Sequence, residues 1–541
     1  MLTLEKLDIA SFTKNQWRAT HKQYRQAFCL SLIVGLVAHG FVLTNLIITE
    51  DGTGHLWGSN VYMWRSGRWL AGYYLKIHDN YVMPFVQGAL AIFYLSVAGS
   101  LTASVLRAKT SIASCLIGVI FVTFPSFASA FSYQWFSDVY ALSALLSVIA
   151  VVVIESRHRY RIPVAAILLV ASLALYQAFI AVAGTLVLFL LIQEIYESEL
   201  SQKDIKCLIC KFVEFGGSFC LAAFFYILSL KTCTYLYSQP MNTYKGMDAV
   251  GFLPVKELPV LFLRTYRYLD DFMSGRIFSF VWYQKLAITA LLMVGGISVI
   301  YKTLQNKTKA KGFIAVVAVS VLLASLIPLA FSTSILAPKS GSGVLTAFGL
   351  IPVFAGAVHV TISRKMPSLY RTLMIVIAII VVLGFVNRCS VIYLKGYLQT
   401  NASLRFSHGL AMRVAALPAY DPAQSKLAVV GGLYNKKIGG YSGPPFTEQS
   451  RGFWHGPPGF AERYNPGLRN RKIVGLMKFL GIQMLPAGGD AVLRAQQIAL
   501  KMPVYPEEGS VKHVEDLAVV NLGRNSLIKD VSVNMLGGGC I

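Results

Sequence analysis

Residues 27–51 read AFCLSLIVGLVAHGFVLTNLIITED, an apolar stretch of membrane length that ends in the acidic pair Glu50-Asp51. Because the hydrocarbon core of a bilayer is about 30 Å thick, about 20 apolar residues form one membrane-spanning helix. A basic, tryptophan-rich segment follows from Gly54 to Leu75. A transporter more often buries its charges at the bilayer midplane. Carboxylates at the membrane surface, next to aromatic and cationic side chains, indicate chemistry on a substrate carried by a lipid.

The composition is that of an integral membrane protein. Of 541 residues, 55% are hydrophobic and 14% are charged, whereas soluble domains are typically about 25% charged. The formal net charge of +24 raises nucleic acid as a partner, but most of the cations between apolar stretches lie in alternate loops. That distribution follows the positive-inside rule and argues against a nucleic-acid groove. The eight cysteines are scattered and imply no disulfide framework.

Eleven apolar stretches predict an all-α polytopic fold with about eleven transmembrane helices. They cover residues 27–48, 84–106, 111–131, 139–155, 162–175, 178–195, 215–237, 282–301, 312–331, 344–362 and 372–393. The region 162–195 is too long for one crossing and short for two. The polar pair Tyr176-Gln177 at its centre predicts a tight turn between two short helices.

The distribution of basic residues sets the predicted topology. The N-terminal segment carries Lys14, Arg18, Lys22 and Arg25, and no cleavage site follows the first apolar stretch, which predicts an uncleaved anchor and a cytoplasmic N-terminus. With two crossings in 162–195, every basic cluster between helices falls on the cytoplasmic side. The outer side then receives residues 49–83, 132–138, 176–177, 238–281, 332–343 and everything after 394.

The C-terminal region differs in composition from the rest. It is rich in Gly, Pro and charged residues and contains no apolar run of membrane length. Short apolar runs at Leu427–Val430 and Leu517–Val520 predict buried strands, and residues 403–416 and 471–480 have helical spacing. We therefore predict a small mixed α/β domain outside the membrane. The predicted domains are 1–393 and 394–541.

The first outer loop, 49–83, is the richest in candidate residues. Its helically spaced aromatic and apolar residues, and the arginines between them, are Trp57, Val61, Trp64, Arg65, Arg68, Trp69 and Tyr73. Such a segment lies flat in the membrane interface, with its aromatic face toward lipid and its cations toward headgroups. A plain interfacial anchor is the alternative. Anionic lipid phosphates repel a carboxylate at the membrane surface, so a carboxylate without a function is unfavourable there. The presence of Asp51 therefore favours a functional site over a plain anchor.

Two further outer segments, 132–138 and 176–177, suit a sugar. Aromatic faces stack on the C–H surfaces of sugars, and amides form hydrogen bonds with hydroxyls. The candidate sugar- or acceptor-binding residues are Trp69, Gln134, Trp135, Asp138, Tyr176 and Gln177. The alternatives are an aromatic belt, a helix N-cap at Asp138 and a simple turn at Tyr176.

The outer cations are candidate ligands of a phosphate group, because the guanidinium fork of arginine binds phosphate in a bidentate manner. Arg264 and Arg267 are three residues apart and so share one helical face. The candidate phosphate ligands are Arg65, Arg68, Arg264, Arg267 and Lys339. The alternative for Arg264 and Arg267 is a solvated face or contact with lipid headgroups.

Together, these features resemble the GT-C class of membrane glycosyltransferases. Gly67-Arg68-Trp69 downstream of Asp51, the Trp135–Asp138 loop and Tyr176-Gln177 resemble, more narrowly, the bacterial serotype-converting O-antigen glucosyltransferases. The resemblance covers about residues 1–430. It implies a polyprenyl-phosphate-linked glucose as donor and a sugar of the lipid-linked O-antigen repeat as acceptor. It also implies the periplasmic face of the bacterial inner membrane as the location, and Asp51 as general base, with Glu50 beside it.

The mechanism we expect is an inverting displacement, in which the carboxylate removes a proton from the acceptor hydroxyl as that oxygen attacks the anomeric carbon. No cofactor is expected. The two neighbouring carboxylates are nevertheless suited to binding Mg²⁺ or Mn²⁺, so binding of a divalent metal stays open. Expected partners are membrane lipids, a flippase and a glycosyltransferase that synthesises the donor. The competing hypotheses are a flippase or transporter for a lipid-linked sugar, and an O-antigen polymerase or ligase.

Overall fold

The fold is described from a computed structural model of the chain. It describes residues 21–49, 52–56, 63–156, 159–197, 202–241, 270, 272–274, 278, 280–305, 347–362, 367–432 and 466–523. The chain divides into two compact units, one of Met1–Thr44 and Asn60–Val391 and the other of Asn45–Ser59 and Ile392–Ile541. We call them the N-terminal unit and the C-terminal unit.

The described part of the N-terminal unit is almost entirely helical. Its α-helices are α1 Lys22–Thr44, α3 Trp69–Leu75, α4 Pro84–Val105, α5 Ser111–Thr123, α6 Pro125–Phe131, α7 Ser137–Glu155, α8 Arg161–Leu175, α9 Ile180–Glu197, α10 Gln202–Tyr237, α11 Trp282–Gln305, α12 Leu350–Thr361 and the first part of α13 Ser368–Ala415. Short 3₁₀ helices cover Met63–Ser66, Lys76–His78, Gln134–Phe136, Gln177–Phe179 and Ala347–Gly349. Helix α2, Gly52–His55, belongs to the C-terminal unit.

Seven helical segments in the described residues are long and apolar enough to cross a membrane. They are Lys22–Thr44, Pro84–Val105, Ser111–Phe131, Gln134–Glu155, Ile209–Tyr237, Trp282–Val299 and Ser368–Ala415. Shorter apolar helices cover Arg161–Leu175, Gln177–Gln193 and Ala347–Thr361. The chain is therefore a mostly helical polytopic membrane protein. The predicted span 312–331 lies outside the described residues, so the count of eleven stays a prediction.

The region 162–195 contains the predicted break. Helix α8 ends at Leu175, Tyr176 is extended (φ −160°, ψ 117°), and a 3₁₀ turn leads into α9. A break inside an apolar region leaves backbone carbonyls without helical partners. The buried Ser143 hydroxyl donates to the Tyr176 carbonyl over 3.1 Å and so satisfies one of them.

The predicted span 111–131 is bent at a proline. Helix α5 ends at Thr123, and Pro125 begins α6, which leaves Phe124 extended (ψ 127°) between them, as proline requires of the residue before it. The Phe124 ring is fully buried and stacks on Phe272, with centroids 5.6 Å apart. This aromatic cluster is part of the core of the N-terminal unit.

The described part of the C-terminal unit is built on a four-stranded sheet. Its strands are β1 Lys426–Val430, β2 Leu485–Pro486, β3 Val511–Val514 and β4 Leu517–Asn521, in the order β2-β1-β4-β3. Strand β1 is parallel to β2 and β4, and β3 is antiparallel to β4. Helices α14, Pro466–Phe479, and α15, Asp490–Ala499, connect the strands, as two crossovers between parallel strands require.

Both predicted strands lie within observed ones, and the predicted helices 403–416 and 471–480 largely coincide with helical residues of α13 and α14. Helix α13 runs without interruption through position 393, where the transmembrane domain was expected to end. The expected domain boundary and the outer location of residues 394–541 stay predictions.

Candidate active site

A short irregular segment of the N-terminal unit carries the cations of the first loop. We call residues 63–78 the first-loop strip. It consists of a 3₁₀ turn, Gly67, Arg68, helix α3 and a second 3₁₀ turn. Gly67 has a φ of 78°, a left-handed conformation that glycine adopts without steric cost. Arg68 therefore follows a sharp turn, which is closed by the Arg68 amide donating to the Met63 carbonyl over 3.0 Å.

Neutral side chains from two other elements hold this turn. The Tyr226 hydroxyl of α10 donates to the Gly67 carbonyl over 2.9 Å. The Gln177 amide lies 2.9 Å from both the Ser66 carbonyl and the Tyr226 hydroxyl, and donates to each. The Trp69 indole donates to the Ser229 hydroxyl of α10 over 2.9 Å. The structure thus brings Gly67-Arg68-Trp69 and Tyr176-Gln177 together, although about a hundred residues separate them in sequence.

The two arginines of the strip, Arg65 and Arg68, form no ion pair with another described residue. The Arg68 guanidinium carbon lies 4.5 Å from the centroid of the Tyr176 ring, a cation–π contact. Within the described residues, neither Arg65 nor Arg68 forms an ion pair, and the buried Nε atom of each has no hydrogen-bond partner. Two half-buried cations without a carboxylate are suited to binding an anion.

The aromatic residues of the strip do not all face lipid, as the helical spacing predicted. Trp64 is buried and stacks on Tyr237 of α10, with ring centroids 5.1 Å apart and planes inclined by 19°. Tyr73, in contrast, is exposed, and Trp57 and Val61 lie outside the described residues. The prediction of a lipid-facing aromatic surface is therefore wrong for Trp64, because the exposed Tyr237 of α10 stacks on its ring.

A buried acid–base pair lies at the C-terminal end of the first-loop strip. His78 Nε2 lies 2.8 Å from Asp138 Oδ2, and both residues are buried. The hydrogen bond with Asp138 raises the pKa of His78, against the opposing effect of burial. Burial, followed by the charge of Asp138, raises the pKa of the neighbouring Tyr74. The carboxylate is therefore set in a cluster of hydrogen-bonding groups rather than in an apolar layer.

Asp138 does not act as the N-cap of its helix, which was the alternative to a binding role. Helix α7 begins at Ser137, so Asp138 lies inside the first turn, where its Oδ1 accepts from the Val139 amide over 3.0 Å. A carboxylate there is favoured by the helix dipole. His78 was not among the predicted site residues, and no short-range pattern marks it, since 60 positions separate it from its partner.

The remaining residues of the 132–138 loop are packed inside the protein. The Gln134 amide donates to the Val42 carbonyl over 2.6 Å, and Gln134 is 3% exposed. Trp135 is 7% exposed, and its carbonyl accepts from the Gln87 amide over 3.2 Å. The amide nitrogen of Gln134 is thus engaged with the backbone, and sugar binding by Gln134 and Trp135 stays a prediction.

Five candidate residues lie outside the described residues: Glu50, Asp51, Arg264, Arg267 and Lys339. Among the residues that are described, no three His, Cys, Asp or Glu side chains lie together as metal ligands would. The predictions about cofactors and partners stay predictions.

Comparison with known proteins gives one match. The family model described as Glucosyl transferase GtrII matches residues 40–355, more than half of the chain. The match includes the first-loop strip, the His78–Asp138 pair and the Tyr176 turn, and it ends before the sheet of the C-terminal unit. Neither the curated proteins nor the solved structures contain a match to the chain.

Proposed function

The chain belongs to the GtrII glucosyl transferase family, and from this premise we propose that it is an inverting membrane glucosyltransferase. The donor is glucose linked to a polyprenyl phosphate, and the acceptor is a sugar of the lipid-linked O-antigen repeat. The reaction takes place at the periplasmic face of the bacterial inner membrane. Membership of the family supports glycosyl transfer, and the donor, acceptor and location are our proposal.

The observation that carries the proposal is the pair of arginines in the first-loop strip, Arg65 and Arg68, which form no ion pair with any described residue. Transfer of glucose from a lipid phosphate releases that phosphate as an anion, which a fixed cation stabilises as its charge develops. Arg68 lies on the Tyr176 ring with no carboxylate bound to it in the described residues. A hydrogen bond to a charged group contributes about 1.5–3 kcal/mol, so Arg68 is expected to strengthen binding of the lipid phosphate by about 10- to 100-fold.

The neutral anchors of the strip serve the same purpose. Gln177 and Tyr226 fix the two backbone carbonyls that precede Arg68, and both side chains are neutral. A carboxylate in their place would compete with the donor phosphate for the guanidinium group. Trp69 and Tyr176, which border Arg68, are the residues we assign to the donor glucose, because aromatic faces stack on sugars.

The chemical step follows from the charges of the reactants. Asp51 removes the proton from an acceptor hydroxyl while that oxygen attacks the anomeric carbon of glucose. The bond between the anomeric carbon and the phosphate oxygen breaks through a transition state with oxocarbenium character. The polyprenyl phosphate leaves with the bonding electron pair and a negative charge, held by Arg65 and Arg68. Glu50 is the second candidate for the base.

The other predicted residues keep supporting roles in the proposal. Asp138, paired with His78, orients the end of the first-loop strip, and we assign Gln134 and Trp135 to the packing around it and to the acceptor. Arg264, Arg267 and Lys339 are further candidate ligands of the phosphate. The chain depends on a flippase and a donor-synthesising glycosyltransferase, which supply its donor at the outer face.

The proposal is tested with purified protein in lipid nanodiscs. The substrates are polyprenyl-phosphoglucose labelled in the sugar and the lipid-linked repeat. Labelled glucose on the acceptor supports the transferase. Movement of the donor across a vesicle membrane without transfer supports a flippase instead, and joining of repeats supports a polymerase or ligase.

A further inference from the structure

The residues on both sides of the acidic pair belong structurally to the C-terminal unit. We call the described residues 45–49 and 52–56 the acid-flanking segment. They follow helix α1 directly in sequence, yet Asn45–Ser59 groups with Ile392–Ile541 and not with the rest of the first loop. The contacts that cause this grouping are specific, and they involve each side of the pair.

On the N-terminal side of the pair, Ile48 is anchored by both its side chain and its backbone. Its side chain is 3% exposed and lies in the apolar cluster of Phe406 and Leu410 from α13 and Leu427 from β1. Its amide donates to the Thr400 hydroxyl of α13 over 2.9 Å. Thr49, the last residue before the pair, is 2% exposed.

On the C-terminal side of the pair, helix α2 packs against α14. Thr53 is 4% exposed, and a Cβ atom placed on Gly475 of α14 would lie 3.6 Å from the Thr53 Cβ. A Cβ atom there would make an ordinary van der Waals contact with Thr53, and a side chain that extends well beyond Cβ is expected to displace it. The Gly52 amide also donates to the Thr49 carbonyl over 3.0 Å, which links the two anchored sides.

We propose that the C-terminal unit positions the catalytic acid through Thr400 and Gly475. The inference rests on the proposed function, in which the acid of the first loop is the general base. It assigns a role to a region that lies beyond the family match, which ends at residue 355.

The physical reason is the sensitivity of catalysis to geometry. A displacement of about 1 Å in a catalytic group can reduce the rate by about 10²-fold. Thr400 and Gly475 touch neither the substrate nor the acid in this account, so they are positioning residues. Their loss is expected to reduce kcat and to leave the KM for the donor nearly unchanged, because binding of the donor phosphate depends on other residues.

The experiment compares four glycine and threonine variants in the full-length protein. Gly475→Leu is expected to displace Thr53, and Thr400→Val removes the acceptor of the Ile48 amide while keeping the shape of the side chain. Gly409→Leu is the matched control, because nothing lies within 4 Å of a Cβ atom at that position of α13. Thr400→Ser restores the hydroxyl and is expected to restore activity.

We expect Gly475→Leu and Thr400→Val to lower kcat at least tenfold, which is less than the full effect of misplacing a catalytic group. The KM for the donor is expected to stay within about twofold of the wild-type value. We expect Gly409→Leu to match the wild type. Hydrogen–deuterium exchange at the Ile48 amide is expected to accelerate in both test variants and not in the control. An unchanged kcat in the test variants, or equal losses in the control, would overturn the inference.

A double-mutant cycle separates positioning from general destabilisation. If Thr400 acts through Asp51, Thr400→Val is expected to cause no further loss once Asp51→Asn is present, since coupled residues are not additive. Additive losses would contradict the inference. A wild-type protein that transfers no glucose would overturn the proposed function and this inference with it, whereas normal wild-type transfer and a normal Gly475→Leu variant would overturn this inference alone.

Discussion

The two described parts of the first loop are held by different kinds of interaction. The first-loop strip is fixed by hydrogen bonds from neutral side chains, namely those of Gln177, Tyr226 and Ser229. The acid-flanking segment is fixed by an apolar cluster around Ile48 and by one hydroxyl, that of Thr400. Both kinds of anchor hold the backbone through groups that carry no charge.

This difference shows that one loop can be held by two kinds of neutral anchor, one in each compact unit. Here the strip and the acid-flanking segment belong to different compact units, and each unit supplies its own neutral partners. Substitutions that remove one anchor or one charge at a time test this comparison.

The largest effect is expected for the acid itself. Asp51→Asn removes the proposed general base, so we expect kcat to fall by about 10²–10⁴-fold, the usual contribution of such a group. Membrane insertion is expected to be unchanged. Glucose transfer by the purified variant is the measurement, with Glu50→Gln as the matched control. Full activity in Asp51→Asn, with loss in Glu50→Gln, would identify Glu50 as the base.

The second-largest effect is expected for Arg68, the cation on the Tyr176 ring. Arg68→Ala removes a charge-assisted contact of about 1.5–3 kcal/mol, which corresponds to about 10- to 100-fold in kcat/KM for the donor. Arg68→Lys is expected to lose less kcat/KM than Arg68→Ala, because lysine keeps the positive charge but lacks the bidentate guanidinium group. The control is Arg159→Ala, since Arg159 also lies over a tyrosine ring, that of Tyr160, at 5.7 Å. Equal losses in both alanine variants would remove Arg68 from the site.

The His78–Asp138 pair is expected to make stability depend on pH. The pKa of His78 is raised above its ordinary 6.5 in the folded protein. The pair therefore stabilises the fold fully below about pH 6.5, and this contribution is lost as the pH rises through the raised pKa. Asp138→Asn is expected to cost about 1–3 kcal/mol at low pH and less at high pH.

Melting temperatures in detergent between pH 5.5 and 8.5 measure this dependence. The difference between the wild type and Asp138→Asn is expected to shrink as the pH increases. The opposite slope, or a difference independent of pH, would show that the pair does not stabilise the end of the strip. His78→Gln serves as the reciprocal variant, and it is expected to show the same slope.

The smallest effect is expected at the tryptophan of the strip. Trp69→Phe keeps the aromatic ring and removes the hydrogen bond to Ser229, so we expect a loss of about 0.5–1.5 kcal/mol in stability. Trp282→Phe is the control, because Trp282 is exposed. Thermal unfolding of both variants is the measurement, and a larger effect at Trp282 than at Trp69 would contradict the description of the strip.

The sequence predicted those features that depend on local pattern. Apolar length predicted the long helices, and the polar pair Tyr176-Gln177 predicted the break in 162–195. The bend at Phe124 was missed, although Pro125 marks it. The strands at 427–430 and 517–520 were predicted from short apolar runs.

Features that depend on distant contacts were not predictable. Asp138 was recognised as a candidate, but its partner His78 was not, because the pairing depends on how the first loop folds against α7. The contact between Ile48 and Thr400 joins residues 352 positions apart, which no periodicity reveals. Trp64 was expected at lipid because helical spacing does not show that Tyr237 lies beside it.

The most direct test of the central claim is inhibition by the released lipid. Polyprenyl phosphate carries the anion that Arg68 is proposed to hold, and it lacks the sugar and the acceptor. It is expected to inhibit wild-type glucose transfer in competition with the donor, and to inhibit Arg68→Ala about 10- to 100-fold more weakly, the loss expected for one charge-assisted contact. The same inhibition constant in the wild type and in Arg68→Ala would contradict the claim that the first-loop strip binds the donor phosphate.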